Sequence, residues 1–147
     1  MKRDGFSAHE RFQASGRERL LFLAVFLETV DPERITFSRW YGGEKGCAVG
    51  LAAVMEPRLQ AQGLGLANED SLKDCRPVYD GRSDWDAVCA FFEISHTEAT
   101  LLFTPVGYLG EMRPHPLRIA ASILSLAGPS AAAVCPPSVP IRELVPA

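Results

Sequence analysis

Residues 20–27 read Leu-Leu-Phe-Leu-Ala-Val-Phe-Leu, and this run limits the possible folds more than any other feature. It follows Ser15 and Glu18, spaced as in a capping box: the serine oxygen accepts from the glutamate's backbone N–H, and the carboxylate reaches back to the serine's. The spacing predicts a helix over residues 17–30, ended by Asp31-Pro32. Its apolar side chains point to nearly every face. Such a helix either lies at the centre of a core or buries its second face against a partner. A homodimer through this first helix is the expected use of an uncovered face.

Further helices are marked in the same way. Over residues 46–56, Cys47, Gly50, Leu51 and Val54 fall on one stripe, with Gly50 placed to let a neighbouring helix come close. Pro57 opens one more turn, which Gly63 ends. Ser83 caps a third helix with Trp85, Val88, Cys89 and Phe92 inward. Ser95 and Glu98 form a second capping box, with Ala99, Leu102 and Phe103 inward. Pro116 opens the last helix, whose inner face is Leu117, Ala120, Ala121 and Leu124, and Gly128 ends it.

Between these helices, residues 65–82 are polar and read as a long surface loop. Ile35-Thr36-Phe37 and Pro77-Val78-Tyr79 read as two short extended pieces that pair in one ribbon. The expected fold class is therefore all-α, a single compact domain of about five or six helices with at most one two-stranded ribbon. Its core would be built on Phe22, Phe26, Leu51, Trp85, Phe92, Phe103 and Leu124. Residues 1–14 form an N-terminal arm, flexible or carrying a short helix opened by Ser7 and Glu10, and 15–128 form the helical domain. Residues 129–147, with Pro136, Pro137 and Pro140, have the composition of a disordered tail.

Charge narrows the function classes. The chain carries −3 overall, while residues 1–19 carry +2 and leave about −5 on the central body. An acidic body argues against nucleic acid and membrane surfaces as partners. The 20–27 run is too short to cross a bilayer. Cys47, Cys75, Cys89 and Cys135 show no CxxC pair, which suits free thiols in a reducing cytoplasm. Scattered cysteines with His9, His96 and His115 give no metal-ligand spacing, and no phosphate-cradling glycine motif is present, so neither metal nor cofactor is expected.

Two places carry chemical interest. Cys47 falls at a helix start just after Lys45, where free backbone donors favour a thiolate, and His96 and His115 lie downstream as possible bases. That constellation would make a cysteine-dependent hydrolase or transferase. The same phase that puts Cys47 beside Gly50, Leu51 and Val54 turns it inward, where it is only a small core residue. Trp40, Tyr41, Gly42 and Gly43 form an aromatic loop suited to binding, with Tyr79 as a further aromatic.

Along the middle of the chain run Gly46-Cys47-Ala48-Val49-Gly50, Pro57 and Gly63-Leu64, then Pro77, Tyr79 and Gly81. Trp85-x-Ala87-Val88, Phe91-Phe92, Ile94-Ser95, Glu98-Ala99, Leu102-Phe103 and Tyr108 follow. In this order they resemble a family of small uncharacterised bacterial and phage or prophage proteins, over roughly residues 20–127. The resemblance implies a helical domain of mobile-element origin and no particular activity. The expected function is a non-enzymatic protein-interaction or accessory factor with an unidentified protein partner; the alternative is the Cys47 enzyme.

Overall fold

The computed structural model describes residues 14–71 and 74–127. The Ser7–Glu10 helix, the 129–147 tail, His9, Cys135 and the Gly128 stop lie outside the described residues. Both capping boxes form. Ser15 Oγ accepts from Glu18 N at 3.1 Å while Glu18 accepts from Ser15 N at 2.9 Å, and Ser95 with Glu98 repeats this at 3.0 and 2.9 Å. They open α1 (Gly16–Leu27) and α5 (His96–Phe103). The remaining helices are α2 (Ala48–Met55), α3 (Pro57–Ala61), α4 (Asp84–Phe92) and α6 (Pro116–Ala127), with 3-10 turns at Pro32–Arg34 and Pro105–Tyr108.

The all-α expectation is corrected. Alongside the six described helices stand two small antiparallel sheets, so the fold is mixed α and β. The first is a hairpin of β1 (Tyr41–Gly42) and β2 (Lys45–Gly46). Gly43 and Glu44 join them with φ of 61° and 66°, the positive values that a two-residue hairpin turn requires. The second sheet runs β3 (Gly65–Ala67), β4 (Arg76–Tyr79) and β5 (Arg82–Ser83), with β4 in the middle. The stretch 65–82 thus carries three short strands where a loop is expected, and Leu66, Pro77 and Tyr79 are the side chains it turns inward. Ile35 does not pair with β4; it bridges Gly46 in parallel, and Thr36 N donates to Gly46 O at 2.9 Å.

α1 occupies the centre. It packs most extensively on α6 and also meets α2, α3 and α4. Leu20, Leu23, Ala24, Phe26 and Leu27 are buried, Leu21 and Phe22 half-buried, and Val25 exposed. Each large side chain so buried contributes roughly 1.5–3 kcal/mol. Most of the surface that motivated a dimer through this helix is covered within the chain. A row of rings extends the core: Tyr79 meets Phe91 at 5.0 Å, Phe91 meets Phe92 at 4.9 Å, and Phe92 meets Phe103 at 5.9 Å.

Three expected core positions move outward. Phe22 and Trp85 are half-buried, and Leu124 is 43 % exposed. In α6 the inner face is Ile119, Ala120, Ile123 and Ala127, which leaves Leu117, Ala121 and Leu124 outside. No helix among the described residues is long and apolar enough to cross a membrane.

A candidate aromatic binding cavity

Gly46 and Gly50 position the loop that carries Trp40. A Cβ on Gly50 would lie 1.8 Å from Trp40 O, and one on Gly46 2.2 Å from it. Only glycine lets this carbonyl lie against the start of α2, so the close approach permitted at Gly50 is to a loop and not to a helix. Cys47 N donates to the carbonyls of Arg39 and Trp40, both at 3.2 Å, and fixes the same strand of backbone.

Held in this way, the Trp40 ring meets the Trp85 ring with centroids 4.8 Å apart and planes inclined at 57°. Both residues are half-buried. They bound an open cavity of about 320 Å³, whose other walls are Phe37, Ser38, Arg39, Phe103 and the two thiols of Cys47 and Cys75. Arg39 donates from Nη1 to Gly42 O at 2.9 Å, and this is its one hydrogen bond to the described residues. Its remaining N–H groups are free to meet a carbonyl or carboxylate.

The thiols are structural in character. Burial pushes the Cys47 thiol up to about 11, and the backbone amides of Gly50 and Val49 offset only part of that rise. Cys75 is raised as well, first by burial and then by the nearby Glu69 carboxylate. At neutral pH both are protonated, and neither histidine lines the cavity. His96 Nε2 lies 3.4 Å from Asp86 Oδ1 on an exposed helix start, and His115 Nδ1 accepts from Leu117 N at 3.1 Å. The structure does not bring Cys47, His96 and His115 together. Among the described residues no three His, Cys, Asp or Glu side chains converge as a metal site would need.

Of the aromatic-loop residues expected to bind, Trp40 alone lines the cavity. Tyr41 is half-buried against the core, with its Cβ 3.3 Å from where a Gly50 side chain would begin. Gly42 accepts the Arg39 bond and Gly43 makes the turn. Tyr79 belongs elsewhere: its ring packs on Phe91 and its hydroxyl accepts from Arg19. Trp85 is an aromatic that could line a groove, but its helical spacing assigns it to the core, and nothing in the sequence marks Phe37, Arg39, Cys75 or Phe103 for binding. They come from separate segments, and no local spacing announces that the fold will gather them.

Comparison with protein-family models, with curated proteins and with solved structures returned no match.

Proposed function

We propose that this chain is a non-enzymatic protein-interaction module that takes one large apolar or aromatic side chain of a partner between Trp40, Trp85 and Phe37. The observation that carries the reading is the half-buried tryptophan pair at the wall of an open cavity of about 320 Å³. That volume is at the small end for small-molecule sites and suits a single anchoring side chain. Tryptophan and arginine are the residues over-represented where a few contacts dominate an interface. Arg39, with donors to spare, is placed to bind the partner's backbone carbonyl or a neighbouring carboxylate. A role as a cytoplasmic accessory factor fits the resemblance to small bacterial and phage proteins.

The test is selection of peptides from a random display library against the full chain, followed by titration monitored by tryptophan emission. The expected result is a set of binders sharing an aromatic or bulky aliphatic residue. Their affinity should fall about tenfold or more in Arg39→Ala, near 1.4 kcal/mol. Equal binding to wild type, Arg39→Ala and Trp40→Ala would overturn the reading.

A further inference from the structure

A second concave surface lies between α5, α6 and the Pro105–Tyr108 turn. It is a groove of about 360 Å³ walled by Leu101, Leu102, Gly107, Ser122, Ser125 and Leu126. Gly107 makes its floor flat: a Cβ there would fall 1.8 Å from Leu101 O, so the turn sits directly on the end of α5. Leu101 and Leu126 are 49 % and 41 % exposed. Glu98 is the one charged residue in the lining.

We propose that this groove is the docking site for the chain's own segment 134–145. Four observations favour that occupant. First, α6 is described to Ala127, one residue past the groove residue Leu126, so the chain that leads on to the segment sets out from the groove's edge. Second, the length suffices. The 14 residues from Ala127 to Ile141 span about 20 Å root-mean-square as a random coil, more than the groove's wall on α6, about 6 Å from Ser122 to Leu126.

Third, the segment supplies Val134, Val139, Ile141, Leu144 and Val145 for the apolar walls, and Arg142 as a counterpart to Glu98. Fourth, the strip is small. Its seven lining residues fall far short of the roughly 20–30 a side, about 800 Å² per partner, that two folded chains bury in a stable complex. A tethered segment needs no such area, because the tether holds it at an effective concentration in the millimolar range.

The full chain supplies its own probe, since Cys135 lies inside the segment. Leu101→Cys places a thiol in the groove, and Lys45→Cys places an exposed one on the hairpin as a control. Under oxidised glutathione, peptide mapping should find Cys135 joined to position 101 at least tenfold faster than to position 45. In Leu101→Cys, iodoacetamide labelling of the groove thiol should rise severalfold when Ile141 and Leu144 are also changed to Glu. Equal cross-linking at both positions together with unchanged labelling would overturn the proposal. Labelling protection that grows with protein concentration would overturn it in favour of a second copy. Neither readout involves the Trp40 cavity, so this proposal and the functional one fail separately.

Discussion

Glu93 closes α4 with φ 56° and ψ 49°, the left-handed conformation in which a Cβ crowds the following carbonyl. Its side chain is exposed and serves the turn in no way that glycine could not. Glu93→Gly should therefore raise the unfolding free energy by about 0.5–1 kcal/mol, read from urea midpoints. A lower midpoint would mean that the Glu93 Cβ contributes more through its closeness to Gly16 than it costs in strain. Gly50 behaves in the opposite sense. Gly50→Ala drives a methyl into the Trp40 carbonyl, a backbone atom held by the Cys47 N–H. The expected loss is about 2–3 kcal/mol in thermal unfolding, with a changed near-ultraviolet tryptophan spectrum as the loop shifts.

At the scale of elements, one side chain joins three of them. Arg19 leaves α1, is 3 % exposed, and donates to Phe91 O at 2.9 Å, Tyr79 Oη at 3.3 Å and Gln62 Oε1 at 3.3 Å. No carboxylate pairs with it among the described residues; its charge rests over the rings of Phe91 and Tyr79, 4.6 and 5.4 Å from their centroids. Arg19→Met keeps the stem and strips the donors. It should cost about 1–3 kcal/mol, whereas the exposed Arg82→Met should stay within about 0.5 kcal/mol in the same urea titration.

The starts of α1 and α5 were legible because a capping box is a local device, complete within four residues. The second sheet was not read from Asp80-Gly81, although that pair turns β4 into β5 with φ of 52° and 78° and is a strong hairpin signal. Its flanking strands are only four and two residues long and are mixed in polarity, so they give no alternation to register. In α6 the stripe Leu117, Ala121, Leu124 competes with Ile119, Ala120, Ile123 at the same helical period. Which of the two faces α1 is decided by tertiary contact alone. The Trp40 cavity was half legible: its loop stood out by composition, but Trp85 and Phe103 reach it only through folding.

At the scale of the whole molecule, the buried acids give stability a common dependence on pH. Cys47 is raised from 9.0 to about 11 by burial. Cys75 and Cys89 are raised, chiefly by burial too. Tyr108 is raised by burial against the opposing effects of Ser122 and Arg118, and its hydroxyl donates to Leu102 O at 2.8 Å. For each group the folded state holds its proton more tightly than the unfolded chain does. Between the two pKa values the folded state therefore binds more protons, and the free energy of unfolding falls as pH rises.

For Cys47 the contribution is complete below pH 9 and is lost as pH climbs through about 11. Its full size is about 2–3 kcal/mol. Lysines and exposed tyrosines titrate in the same range, so the wild-type slope alone does not isolate it. Cys47→Ala does. The substitution lowers stability at pH 8 by removing a packed sulfur, but it also removes the proton whose retention is at issue. Guanidinium unfolding at pH 8 and pH 10.5 should then show a smaller loss across the interval in Cys47→Ala than in wild type. Equal losses would mean that the Cys47 thiol ionises as readily in the folded chain as in the unfolded one, and that the cavity wall it forms admits water.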